Sequence, residues 1–312
     1  MTMQKMAVIG AGTMGHGIAK ICAAAGLEVN MYDRNPEALQ RGYDNILNIL
    51  QEDVDNGVLT EEESKAAYAR VNATYDLKEA VSDVDMVIEA IVEVLEIKQS
   101  VFKELDELCD ERVILATNTS GLSPTDIAEK SVNRDRLVAT HFWCPPELIP
   151  LVEVIPNAYT RPDVVEATAA WVEQIGKVPV KMNKECHGFI GNRMQYALLR
   201  EALHIYEQGW ADLEEIDKAV EYSFGRRYPV TGPFRSADLG GVDIFYNVSS
   251  YLFAELSDAK KPQEAFKKLF DSEKFGLKSG EGFYKWSEAD AAATSQERKD
   301  VLNYFLDRDK EQ

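Results

Sequence analysis

AVIGAGTMGHGIAK, residues 7–20, places Gly10, Gly12 and Gly15 at two- and three-residue spacing directly behind an apolar run. Glycine belongs there for one of two reasons: a phosphate must approach the backbone at a helix N-terminus, or the chain must turn tightly. The G-x-G-x-x-G spacing alone serves either purpose, so the surrounding sequence decides. Residues 5–10 carry the apolar pattern of a strand, and Met14, Ile18, Cys22 and Ala25 then recur along one helical face. The next strand-like run, 28–33, ends on Asp33. A carboxylate at that place accepts hydrogen bonds from the ribose hydroxyls of NAD and repels the additional phosphate of NADP. Arg34 is the type of residue that serves NADP, but Asp33 holds the discriminating position, and NAD is the expected cofactor. The glycines therefore read as a pyrophosphate seat, with Gly10, Gly12, Thr13, Met14, Gly15 and Asp33 as candidate contacts.

The totals are consistent with such a protein. At 312 residues and 45% hydrophobic content the chain can bury one large core or two ordinary ones. Its 34 basic against 53 acidic residues, a net charge of −19, argue against nucleic acid or an anionic membrane surface as partner. No apolar run reaches the roughly 18 residues of a membrane span, and the first strand pattern starts too early for a signal peptide, so a cytoplasmic location is expected. Cys22, Cys109, Cys144 and Cys186 form no C-x-x-C pair, which suggests reduced thiols and no metal site.

Strand-like runs at 5–10, 28–33, 86–90, 113–118, 137–142, 151–155 and 178–182 alternate with helical stretches, the signature of a parallel sheet covered on both faces. Between the second and third lies a polar insertion, 36–76, that reads as two helices, 37–53 and 60–69, joined by a turn at Asn56-Gly57. After Gly188 strand patterns vanish, and Met194, Leu198, Ala202 and Ile205 mark an apolar helix face. The expected fold class is α/β, a doubly wound, mainly parallel sheet with a helical-pair insertion, followed by an all-α C-terminal domain. The domains expected are 1–186 and 187–312.

Oxidation of an alcohol by a nicotinamide requires a base for the hydroxyl proton. Of the four histidines, only His141 ends a strand on the side of the sheet where ligands gather. In THFWCPPELIPLVEV (140–154), Cys144-Pro145-Pro146 and Pro150 force a turn that returns the next strand and brings Glu153 alongside His141. A carboxylate on one ring nitrogen fixes the tautomer and stabilises the imidazolium formed at the other.

The glycine motif with Asp33, together with VIEAIVEVLEIKQSVFKEL (87–105), NTSGLSPTDIA (118–128), HFWCPPELIPLVEV (141–154), GFIGNR (188–193) and GLKSGEGFY (276–284), resembles the short-chain members of the L-3-hydroxyacyl-CoA dehydrogenase family nearly end to end. The resemblance implies a Rossmann-type NAD domain followed by a helical domain that dimerises, and an activity in fatty acid metabolism. It makes His141 the catalytic base, Glu153 its orienting partner, and Ser120 and Asn192 the holders of the substrate oxygen. It also places Glu93, Lys98 and Asn118 near the cofactor. By spacing alone Glu93 and Lys98 read as a pair on a solvated helix face, and Ser120 and Asn192 as ordinary turn or capping residues.

Three departures bear on the substrate. Cys144 stands where the family usually carries asparagine, as a weaker donor toward substrate or as a small apolar filler. QEDVDNGVLTEEES (51–64) puts Glu52, Asp53 and Asp55 where relatives that use CoA tend to carry lysines, although Lys65 and Arg70 stand nearby. FGRRYPVTGPF (224–234) carries Arg226 and Arg227, which suit either a free carboxylate or a salt bridge between subunits. The first of those fits the branch that holds lambda-crystallin and L-gulonate 3-dehydrogenase. The expected function is hydride transfer from C3 of a short 3-hydroxyacyl substrate. A CoA thioester leads on family breadth, a free hydroxy acid is the alternative, and a non-catalytic, crystallin-like role stands apart. The expected assembly is a homodimer.

Overall fold

The computed structural model describes residues 2–310. In chain order its first part comprises β1 (Lys5–Ile9), α1 (Thr13–Ala24), β2 (Glu28–Tyr32), α2 (Pro36–Asp55), α3 (Glu61–Ala69), β3 (Val71–Thr74), α4 (Leu77–Ala80) and β4 (Met86–Glu89). Next come α5 (Leu95–Leu108), β5 (Ile114–Thr117), α6 (Pro124–Ile127), β6 (Leu137–Phe142), β7 (Leu151–Pro156), α7 (Pro162–Gln174) and β8 (Val178–Lys181). The eight strands form one sheet in the order β3-β2-β1-β4-β5-β6-β7-β8. Every neighbouring pair is parallel except β6 and β7, which are antiparallel.

Strand residues alternate between two cores, as the two-residue period of a strand requires. Met6 and Val8 pack in one cluster with Ile18 and Cys22 of α1, Leu39 and Ile46 of α2, and Trp171 of α7. Ala7 and Ile9 pack in the other with Phe102 and Leu105 of α5. Both faces are thus covered, and the α/β doubly wound fold is present.

The 36–76 segment differs from its expectation at one end. Its two helices form, with Asn35 accepting from the backbone of Glu37 and Ala38 at the start of α2 and a Thr60–Glu63 capping box at the start of α3. Its last residues, however, are β3, an eighth strand paired with β2 from Val29↔Val71 to Tyr32↔Thr74. The four-residue VNAT stretch is too short and too polar to show as a strand pattern; at the sheet edge only Val71 and Thr74 are buried.

The chain forms two compact units: residues up to 190 together with the end of the last helix from 299 onward, and 191–298. The second unit contains α8 (Gly191–Glu207), α9 (Leu213–Glu221), α10 (Phe224–Arg227), α11 (Pro233–Gly240), α12 (Val242–Leu252) and α13 (Glu264–Asp271), with α14 (Glu288–Lys310) leading out of it. On the α8 face, Ala202 and Ile205 are half-buried while Met194 and Leu198 are exposed. A larger apolar exposure lies on α11, α12 and the residue after it, including Phe234 at 85%, Tyr246 at 71% and Phe253 at 72%. Among the described residues no helix is long and apolar enough to cross a membrane, and no His/Cys/Asp/Glu group could hold a metal.

Candidate active site

β1, β4, β5 and β6 run in parallel, so their C-terminal ends share one edge of the sheet. The strand order reverses between β1 and β4, which opens the crevice where such folds bind ligands. Gly10 leaves β1 with φ +105°, and its N–H donates to Tyr32 O at 2.7 Å. A Cβ on Gly15 would collide with the Gly10 carbonyl, whereas a Cβ on Gly12 would meet only open space. Gly15 thus lets α1 close on β1, and Gly12 is the open face of the cradle. Thr13 and Met14 begin α1, which has neither a side-chain cap nor an acidic residue in its first turn. Its N-terminal N–H groups therefore suit a pyrophosphate.

Asp33 Oδ2 accepts from Ala11 N–H at 3.0 Å and Oδ1 from Asn35 N–H at 2.9 Å. The carboxylate is held at the crevice, and each oxygen keeps acceptor capacity for a ribose hydroxyl. Arg41, which the sequence did not single out, lines the same cleft with Gly12 and Thr13. Its signal was the glycine beside it: a Cβ on Gly42 would lie 2.6 Å from Ala11 O, so glycine is what lets α2 come this close.

At the end of β6, His141 Nδ1 lies 2.7 Å from Glu153 Oε2, with both side chains buried. The antiparallel register sets His141 directly opposite Glu153. The other Glu153 oxygen accepts from Ile190 N–H at 2.9 Å, so the carboxylate is fixed at both ends. Trp143 and Phe189 flank the imidazole at 5.7 and 5.6 Å between ring centroids. With Nδ1 donating to Glu153, Nε2 is the nitrogen able to take a proton.

The turn between the two strands holds a cis Cys144–Pro145 bond and is braced from below. The buried Lys177 ammonium donates to the carbonyls of Pro146 at 2.6 Å, Glu147 at 3.2 Å and Ile149 at 3.1 Å, and burial pushes its pKa down to about 8. Cys144 is exposed on this turn, so it is no core filler.

Lys98 corrects the surface reading given to it with Glu93. Only 1% exposed, it projects from α5 to Glu89 Oε1 at 2.6 Å and to Glu93 Oε2 at 3.2 Å. The other oxygen of Glu93 receives the Ser120 N–H at 2.8 Å and the Thr119 hydroxyl. Burial works to raise the Glu93 pKa, but Thr119, the Lys98 charge and Ser120 N–H outweigh it and hold it below its ordinary value. The Asn118 amide oxygen accepts from Phe142 N–H at 2.9 Å and so ties the end of β5 to the residue after His141.

Asn192, Arg226 and Arg227 belong to the second unit. Asn192 is the second residue of α8. Arg226 lies over the Tyr222 ring at 4.4 Å and donates to Glu221 O at 3.2 Å. In the first unit, of the cations near the acidic end of α2, Lys65 makes an exposed i,i+4 pair with Glu61 at 3.0 Å and Arg70 donates to Ala23 O at 3.2 Å. Asp53 pairs with Lys20, and Glu52 with Lys299 at 2.7 Å.

Comparison with known proteins agrees with this fold. The family model described as 3-hydroxyacyl-CoA dehydrogenase, NAD binding domain, matches residues 5–186, and that of the C-terminal domain matches 188–286. The 5-formyl-3-hydroxy-2-methylpyridine 4-carboxylate 5-dehydrogenase of Mesorhizobium japonicum is 36% identical over 95% of this chain and 95% of its own length. A probable 3-hydroxybutyryl-CoA dehydrogenase of Bacillus subtilis is 36% identical over 92% of this chain and 99% of its own. Among solved structures, a 5-dehydrogenase for the same pyridine carboxylic acid, described as an NAD+ dependent dismutase, superposes with a TM-score of 0.89 at 34% identity, covering 98% of this chain and 99% of that one. The (S)-3-hydroxybutyryl-CoA dehydrogenase of Ralstonia eutropha gives 0.78 at 33% identity, covering 92% and 100%. The chain therefore belongs to the 3-hydroxyacyl-CoA dehydrogenase family of NAD-dependent oxidoreductases.

Proposed function

We propose that this enzyme oxidises the hydroxyl-bearing carbon at C3 of a short hydroxy acid. In this reading residues 1–186 hold NAD, and residues 187–312 complete the substrate site and form a cytoplasmic homodimer. The observation that carries it is the buried His141–Glu153 pair at the ligand-binding edge of the sheet. NAD, when bound, supplies the hydride acceptor. His141 Nε2 takes the hydroxyl proton, and Glu153, fixed by Ile190 N–H, stabilises the imidazolium that results. Ser120 and Asn192 hold the substrate oxygen, while Gly10, Gly12, Thr13, Met14, Gly15 and Asp33 seat the dinucleotide.

Two observations favour a free carboxylate over a thioester. The end of α2 carries Glu52, Asp53 and Asp55, of which Lys299 and Lys20 pair with the first two, and the cations beside it are the exposed Lys65 and Arg70, so the net charge here does not favour CoA phosphates. The full-length likeness to an enzyme named for a pyridine carboxylate points the same way. Arg226 or Arg227 would then receive the carboxylate. The thioester is the second reading, supported by the 3-hydroxybutyryl-CoA dehydrogenases among the relatives.

One set of assays tests both levels. Free 3-hydroxy acids and carboxylated aromatic alcohols or aldehydes are expected to turn over at higher kcat/KM than 3-hydroxybutyryl-CoA, and the reverse order selects the thioester. His141→Gln should lower kcat about 10²- to 10⁴-fold with NADH binding nearly unchanged. Turnover surviving in that variant would remove His141 as the base.

A further inference from the structure

We propose that Glu89, which lies in the 87–105 stretch but was given no role there, is a positioning residue that orders the Ser120 turn through Lys98 and Glu93. The proposal rests on the reading of Ser120 as a holder of the substrate oxygen.

Glu89 ends β4 and is wholly buried. Its Oε1 accepts from the Lys98 ammonium at 2.6 Å and from Ile91 N–H at 2.7 Å, and its Oε2 accepts from the Thr117 hydroxyl at 2.7 Å. The Lys98 ammonium and Ile91 N–H converge on Oε1, while the Thr117 hydroxyl, able to donate or accept, meets Oε2. A glutamine would keep the shape but lose the negative charge that pairs with Lys98. A buried charge is tolerated only when paired and hydrogen-bonded in this way.

Glu89 also has a directional consequence. It draws the Lys98 ammonium down to the sheet, where Lys98 still reaches Glu93 Oε2 at 3.2 Å but not the turn itself. Glu93 is thereby held with Oε1 toward the turn, accepting from Ser120 N–H at 2.8 Å and from the Thr119 hydroxyl. That hydroxyl accepts in turn from Leu122 N–H at 3.1 Å and Gly121 N–H at 3.4 Å. Glu93, a half-exposed carboxylate tied through Lys98 to a buried one, thus bonds the turn at both Thr119 and Ser120. Without the charge on Glu89, Lys98 would follow Glu93 outward, and Glu93 would leave the Ser120 backbone.

A merely structural role would lower stability without regard to Ser120. A positioning role through Ser120 makes the two substitutions non-additive. The test is kcat/KM, with the best hydroxy substrate, for Glu89→Gln, Ser120→Ala and the double variant. Glu89→Gln is expected to lose about 10- to 100-fold, the cost of misplacing a substrate-positioning group. The double variant is expected to lose no more than the worse single one. Multiplying losses, or a Ser120→Ala variant with full activity, would overturn the proposal. Should Glu89→Gln fold poorly, Glu89→Gln/Lys98→Met removes the buried pair as a unit and is expected to show the same loss and the same non-additivity with Ser120→Ala. Failure of the broader functional reading is distinguishable, because it shows as retained turnover in His141→Gln whatever the outcome of this cycle.

Discussion

A single ammonium, that of Lys177, holds three carbonyls of the turn between His141 and Glu153. Burial lowers its pKa from 10.5 to about 8 in the folded chain. Between those values the unfolded state binds more protons than the native one, so this residue makes stability rise with pH across that window, by at most about 1.4 kcal/mol per pH unit. Below about pH 8 both states keep the proton and the slope disappears. Lys177→Met should therefore differ from the parent in two ways: a flatter pH dependence of urea-unfolding free energy between pH 8 and 10, and a lower kcat as the 146–149 carbonyls lose their donor. A slope equal to that of the parent would show that the ammonium does not titrate there. The sequence was silent about Lys177 because a lysine at the end of a helix reads as solvated. Only packing shows the ring of carbonyls around it.

At the scale of elements, α1 meets the β6–β7 turn at Gly17. A Cβ there would collide with the Glu147 carboxylate and lie 2.5 Å from the Pro146 ring, which is rigid. Gly17→Ala is thus expected to destabilise by about 1–3 kcal/mol despite the better helix propensity of alanine. It should also raise KM by shifting the turn that follows His141, as thermal unfolding and steady-state kinetics would show. An increase in Tm would mean that the turn moves aside at no cost. The elements themselves were mostly legible, because alternation, capping residues and turn glycines are local signals: seven strands and both α2 and α3 lie where the pattern puts them. β3 was missed because its pairing with β2, rather than its own composition, makes it a strand.

For the molecule as a whole, the second unit leaves a large apolar surface open. In the single chain Phe234, Leu239, Tyr246 and Phe253 each stand more than two-thirds exposed, on or beside α11 and α12. Large apolar side chains left open in this number mark an interaction site, and a symmetric second copy would cover them. Light scattering should therefore give twice the chain mass, and Phe234→Asp/Phe253→Asp should yield monomers in sedimentation. A monomeric parent protein would refute the homodimer. The apolar α8 face marked by Met194, Leu198, Ala202 and Ile205 belongs to the same unit, with Met194 and Leu198 exposed, so it is a second candidate for such a cover.

By itself the sequence determined the alternation that builds a parallel sheet, the glycine turn with Asp33, and a proline-rich turn that returns one strand on another so that His141 faces Glu153. These depend on near neighbours and on a period of two or about 3.6 residues, which any window of the chain displays. Tertiary structure alone decided that Lys98 is buried between two carboxylates, that Glu89 carries the far end of that chain, that Lys177 braces the β6–β7 turn, and that Arg41 borders the cleft with Gly12 and Thr13. Each of these is a charge whose meaning depends on what surrounds it. The cost of removing a charge from water, and the partners that offset it, arise only when distant strands and helices are packed together.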